Sequence, residues 1–176
     1  GLGTLKKRKI KNNKGKLKSP IQIEIVDNRA CPAFAGRYIK NVKNIESPDW
    51  LKNKLKSIGL RPISALVDIT NFVMFDMNRP LHVYDADKIN EKIIVRSSQK
   101  GESFRALDDK EYHLEDGMCV IADKSKVLGL GGIMGGDETG CTPSTVNVLL
   151  ESALFDPVNT AKTCLLYTSP SPRDRV

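Results

Sequence analysis

No Cys-x-x-Cys pair occurs in this chain, and Cys31, Cys119, Cys141 and Cys164 are widely scattered with only His82 and His113 to join them. That spacing argues against a zinc site, which draws its ligands from closely spaced pairs, and it leaves four free thiols of the kind a reducing cytosol keeps. No stretch approaches the roughly 18 apolar residues of a membrane span, and lysines stand near the start where a secretory signal needs an apolar run. A cytoplasmic protein without membrane contact is expected. Acidic residues are missing altogether from residues 1–18, which hold eight basic side chains. The net charge of +7 therefore belongs to this tail, since the remainder sets 20 basic against 21 acidic residues. Lacking a regular apolar period, the tail reads as a linker with a solvated charge run.

What is present is ordinary for a globular domain: 40% hydrophobic and 28% charged residues in 176 positions, enough for one sizeable core. Ile21 to Ile25 alternates strictly, as a half-buried strand does, and a second strand is expected over Gly36–Val42. Ser47-Pro48-Asp49 predicts a helix start with Ser47 as N-cap and Pro48 in the first turn, Leu51, Leu55 and Ile58 as its apolar stripe and Gly59 as its stop. A second helix is expected from Ser64 to about Phe75 with Leu66, Ile69 and Val73 as a stripe and Thr70 and Asn71 off it. Arg79 to His82 reads as a loop. Short strands follow at Lys92–Arg96, Ser103–Leu107, Glu111–Leu114, Cys119–Ala122 and Val127–Leu130, with Asp108-Asp109-Lys110 as a hairpin turn and a last helix starting near Asp156. Strands dominate and helices are grouped early, so the fold class is α+β, with a mixed, mainly antiparallel sheet and a few helices. Residues 164–176, with their Ser-Pro repeats, resemble translated adapter read-through and are set apart from the fold.

Between Gly129 and Glu151 a glycine segment leads to an apolar strand ending on one carboxylate, a combination suited to a pocket. Phosphate is a poor occupant. After Gly129-x-Gly131 the third glycine of a dinucleotide fingerprint falls on Met134, no Gly-Lys-Ser/Thr follows Gly136, and Asp137 and Glu138 come next. A bare turn between strands is the simpler alternative. No Gly-x-Ser-x-Gly nucleophile is present, and no base adjoins a cysteine. What remains is a polar set on different elements: Arg61, Thr70, Asn71, His82 and Glu151. His82 is either a buried, hydrogen-bonded histidine or an imidazole that orients water toward an ester carbonyl.

Six blocks, in order, resemble the B3/B4 domain of the bacterial phenylalanyl-tRNA synthetase beta subunit. They are Cys31–Tyr38, Arg61-Pro62-Ile63, Val67–Met74, Arg79–Asp85, Gly131–Gly136 and Leu150–Pro157, and the similarity runs over residues 19–163, with 1–18 as the inter-module linker. The resemblance implies an editing site that hydrolyses tyrosine mischarged onto the phenylalanine tRNA. Thr70, Asn71, Pro80 and His82 would line it, His82 beside the scissile ester. Gly131 and Gly132 would bring backbone close to the aromatic ring, Glu151 would accept the tyrosine hydroxyl, and Arg61 would act through the RNA end. It further implies the acceptor end of the phenylalanine tRNA and an alpha subunit as partners in an alpha2-beta2 heterotetramer. No cofactor is expected in these residues, because ATP and magnesium belong to other modules of that family. The family continues past Thr163 with further pocket wall, which this tail replaces. A free-standing deacylase and a non-catalytic assembly module are the competing readings.

Overall fold

The computed structural model describes residues 3, 4, 6, 9 and 11–167. In chain order its elements are β1 (Gln22–Ile25), β2 (Ala33–Lys40), α1 (Asp49–Ser57), α2 (Ala65–Met77), β3 (His82–Asp85), a 3-10 turn (Ala86–Lys88), β4 (Lys92–Ser97), β5 (Ser103–Arg105), β6 (Glu111–His113), β7 (Cys119–Ala122), β8 (Val127–Leu130), β9 (Met134–Gly135), β10 (Asn147–Leu154) and α3 (Pro157–Tyr167). The described residues of the basic segment 1–18 form neither helix nor strand, and Arg37 on β2 donates to the carbonyl of Asn13 at 2.7 Å.

The strands form a five-stranded sheet, β1-β4-β7-β8-β9, a three-stranded sheet, β2-β10-β3, and the β5-β6 hairpin. Among the described strands only β1 and β4 run parallel; the other pairs are antiparallel. This is the mixed α+β fold the sequence predicts. The main core lies between the two larger sheets, where Ile93, Val95, Cys119, Ile121 and Leu128 meet Tyr84 and Leu149. A second cluster covers the other face of the five-stranded sheet: Val120, Val127 and Leu130 pack with Phe104 and Ala106 of the hairpin region. Burial on both faces explains why β7 and β8 are apolar without alternation.

Local signals placed the elements better than they placed the buried faces. β2 begins and ends earlier than expected, because Asn41 takes a left-handed φ of 57° and breaks the strand. Gly59 stops α1 with φ 83°, as its type predicts. Ser47, expected to cap α1, instead turns its hydroxyl to the Oδ2 of Asp68 at 2.5 Å, and Pro48 stands at the cap position. Asp68 is fully buried and its Oδ1 also accepts from the Ile63 N–H at 2.9 Å, so one carboxylate ties α2 to the chain on both sides of α1. That bond outweighs a cap contact because a buried charge must be satisfied. The α2 stripe is corrected for the same reason: Asp68 and Thr70 are the buried positions while Ile69 is 49% exposed. Ile58 is likewise exposed, leaving Leu51 and Leu55 as the buried face of α1.

α3 continues past Thr163 to Tyr167, whose hydroxyl donates to the His113 carbonyl at 2.7 Å and whose ring meets Tyr112 edge-on at 5.0 Å. The remainder of the tail set apart on sequence, 168–176, lies outside the described residues. No helix among the described residues is long and apolar enough to cross a membrane.

Candidate functional site

The site is organised by strand register. In β10 the side chain of residue 151 points to the same face as those of 149 and 153, and pairing with β3 sets Glu151 directly opposite His82. β10 does not end at Glu151 but runs on to Leu154, so the carboxylate sits in mid-strand, only 6% exposed, on the inner face rather than at a rim. Tyr84, two residues after His82 on the same strand face, donates its hydroxyl to Glu151 Oε2 at 2.5 Å. Its ring meets the His82 imidazole edge-on at 4.4 Å. The three side chains border a cavity of about 690 Å³ closed by the end of α2, the Arg79–Leu81 loop, the Gly129–Gly135 segment and the start of α3.

Burial moves both titratable groups toward neutrality. The His82 pKa is lowered to about 4 by desolvation. Its Nε2 is shut away from solvent with no hydrogen-bond partner. Gly135 is what seats the ring: a Cβ there would lie 2.9 Å from Nε2 and in still closer contact with Cε1. Desolvation raises the Glu151 carboxyl to about 7, partly offset by the bond from Tyr84. The Tyr84 hydroxyl is raised well above its usual value by burial and by the neighbouring carboxyl. The result is a mostly apolar cavity with one unprotonated imidazole and one carboxyl poised near neutrality.

Of the residues singled out by sequence, Pro80, His82, Gly132 and Glu151 come together around this cavity. Arg61, Thr70, Asn71 and Gly131 are not part of its lining. Thr70 is buried and donates to the Val67 carbonyl at 2.7 Å within its own helix, Asn71 is half-buried, and Arg61 is exposed. Gly131 and Gly132 do approach an aromatic ring closely, but it is the chain's own Phe155: a Cβ would stand 2.8 Å from Phe155 Cε1 at Gly131 and 2.9 Å from Phe155 Cδ2 at Gly132. The Gly131 and Gly136 N–H groups are spent on Cys119 and Leu128 carbonyls, so the segment offers no cradle for phosphate. Among the described residues no three His, Cys, Asp or Glu side chains gather as a metal site, and the four cysteines are free thiols.

Sequence reasoning missed Tyr84, Arg79, Phe155 and Gly135. Tyr84 was within reach, since period-two alternation puts it on the face of His82. Phe155 was not, because its ring is brought to the glycines by the turn from β10 into α3.

A family model described as the B3/4 domain matches residues 30–173. The chain belongs to the B3/4 domain family. It is 50% identical over 163 residues to the phenylalanine--tRNA ligase beta subunit of Mesorhizobium japonicum, with 93% of this chain and 20% of that protein covered. It is 52% identical over 167 residues to the protein of that name from Paramagnetospirillum magneticum, covering 93% and 21%. This B3/4 domain thus spans about a fifth of the length of these relatives. Its fold also matches an N-terminal fragment of the phenylalanyl-tRNA synthetase beta-subunit from Pyrococcus horikoshii, with TM-score 0.57 and 15% identity over 81% of this chain and 45% of that one.

Proposed function

We propose that this B3/4 domain belongs to the beta subunit of a phenylalanine-tRNA ligase, and that its cavity hydrolyses tyrosine wrongly esterified to the phenylalanine tRNA. The observation that carries the reading is the pairing of His82 with Glu151 across β3 and β10 inside a mostly apolar cavity. An aromatic side chain fills such a space, and a phenolic hydroxyl finds in Glu151 a partner that phenylalanine cannot use. A ligase pocket that accepts phenylalanine excludes an added hydroxyl poorly, whereas a second site built around that hydroxyl separates the two.

His82 acts by orientation. With its pKa near 4 the ring is neutral at working pH and a weak base, suited to holding a water by hydrogen bond near an ester carbonyl rather than to storing its proton. Nε2 has no partner among the described residues but lies against Gly135, shut from solvent, so a water reaches it only when that contact opens. Arg79 and Pro80 are exposed and border the cavity, and in this reading Arg79 takes the role toward the RNA end first given to Arg61, which does not border it. Thr70 and Asn71 stand on α2, the helix whose Met74 borders the cavity, one turn before that contact, and in this reading they support the wall. In this reading ATP, magnesium and the alpha subunit serve aminoacylation elsewhere in a cytoplasmic alpha2-beta2 assembly.

Deacylation of tyrosyl-tRNA by the assembled ligase carrying this domain is the test, with phenylalanyl-tRNA as the control. His82→Ala is expected to slow tyrosyl release by about 10² or more, within the range of a lost acid–base or water-orienting group. A rate unchanged in both His82→Ala and Glu151→Ala rules out the cavity as the hydrolytic site. A wild-type protein that binds tyrosine without hydrolysing the ester would instead favour a non-catalytic module.

A further inference from the structure

The Tyr84 phenol is buried at 1% exposure and ends on Glu151 Oε2 at 2.5 Å, while among the described residues no group bonds Oε1. Tyr84 reaches the carboxyl diagonally across the strand pair, since its own direct partner is Leu149 and that of Glu151 is His82. A glutamate carboxyl turns about a broad, roughly two-fold torsion, so a single fixed donor on one oxygen is what gives the other oxygen a defined direction. Tyr84 is itself held, by the edge-on contact with His82 and by the core around Leu149. It also borders the cavity.

We propose that Tyr84 is a specificity-determining residue of this cavity: by occupying Oε2 of Glu151 it leaves Oε1, in a fixed direction, as the single acceptor for a ligand's phenolic hydroxyl. The inference rests on the cavity being a tyrosyl-ester site, and it deepens that reading by naming what sets the geometry of hydroxyl recognition. Tyr84 is a positioning residue. It acts on the ligand through Glu151, and the chemistry at the ester is left to other groups.

The Tyr84 bond also has a consequence for the cavity without a phenolic ligand. Tyr84 keeps the buried carboxyl partly satisfied in every state, so the selective contact is one hydrogen bond, worth about tenfold in binding, rather than the full cost of stranding a charge.

The experiment is steady-state deacylation of tyrosyl- and phenylalanyl-tRNA by the assembled ligase with Tyr84→Phe, Glu151→Gln and the double variant. For Tyr84→Phe the KM for the tyrosyl ester is expected to rise about tenfold with kcat nearly unchanged and no change for the phenylalanyl ester. In the Glu151→Gln background the same substitution is expected to add nothing, because its effect runs through that carboxyl. A folded Tyr84→Phe protein with an unaltered ratio of the two KM values overturns this inference alone. A wild-type protein that hydrolyses neither ester overturns the reading of the cavity and this inference with it. Should Tyr84→Phe fail to fold, wild-type protein labelled at tyrosine Cζ with carbon-13 decides the matter: saturating free tyrosine, and not phenylalanine, is expected to shift the Tyr84 resonance. Bound tyrosine with no such shift overturns the proposal.

Discussion

His82 and Glu151 stand directly opposite one another on β3 and β10, and burial drives each toward its uncharged form, one pKa falling to about 4 and the other rising to about 7. The two shifts act on stability with opposite signs, which gives the pair a signature measurable without any substrate.

For His82, the folded pKa lies below the ordinary 6.5, so the unfolded chain takes up a proton first and stability is lost as pH falls from about 6.5 toward 4. For Glu151, the folded pKa lies above the ordinary 4.5, so stability is lost as pH rises from about 4.5 toward 7. Each contribution is of the order of 3 kcal/mol at most across its window. In the wild type they largely cancel between these limits. Relative to wild type, Glu151→Gln is expected to lose stability more steeply on acidification and His82→Gln to lose it more steeply on alkalinisation, as read from urea midpoints between pH 4.5 and 7.

In the proposed reaction the same carboxyl gives a pH dependence of binding. If the ionised form accepts the phenol, KM for the tyrosyl ester falls as pH rises through about 7. KM for the phenylalanyl ester stays level, and Glu151→Gln abolishes the difference. Pre-steady-state and KM measurements from pH 6 to 8 check this.

The Asp68 carboxylate, fully buried and bonded to Ser47 and to the Ile63 N–H, is a structural anchor. Asp68→Ala leaves a buried hydroxyl and a backbone donor without their acceptor, and a loss of roughly 3 kcal/mol is expected in chemical denaturation. Ser47→Ala strands the carboxylate on one side only, and is expected to cost less.

Gly132 combines a φ of 73° with a site where a Cβ would stand 2.9 Å from Phe155. Gly132→Ala is expected to cost about 1–3 kcal/mol through backbone strain and displacement of that ring. Adding Phe155→Ala is expected to recover the steric share and leave the strain, a non-additivity that a double-mutant cycle reads directly.

Tyr167→Ala removes both a hydroxyl bonded to the His113 carbonyl and a ring packed on Tyr112. A lowered melting temperature, with loss of about 1–3 kcal/mol, is expected from these contacts.

Element types and most of their positions were legible because the signals are local: alternation in Gln22–Ile25, the Gly59 stop, the hairpin turn where Asp109 takes φ 64°. Ser47 shows where local reading fails. Its pattern is that of a helix cap, yet a buried carboxylate 21 positions away makes the stronger claim on its hydroxyl. The same holds for the site. Glu151 and His82 were singled out together with Thr70, Asn71 and Arg61, whose chemistry is equally suitable; only the first two are in the cavity lining, while Thr70 turns its hydroxyl to the Val67 carbonyl within α2.

Periodicity, turn residues and motif order were enough to give the α+β class, the family and a polar set of five that includes His82 and Glu151, without separating those two from Arg61, Thr70 and Asn71. The register of strand pairing, invisible in the chain, is what lets Tyr84 share the Glu151 carboxyl, packs Phe155 onto Gly131 and Gly132, and by burial lowers the His82 pKa and raises that of Glu151. Those outcomes depend on which strands pair and in what register. A single-residue slip in that pairing would turn the same side chains to the opposite face.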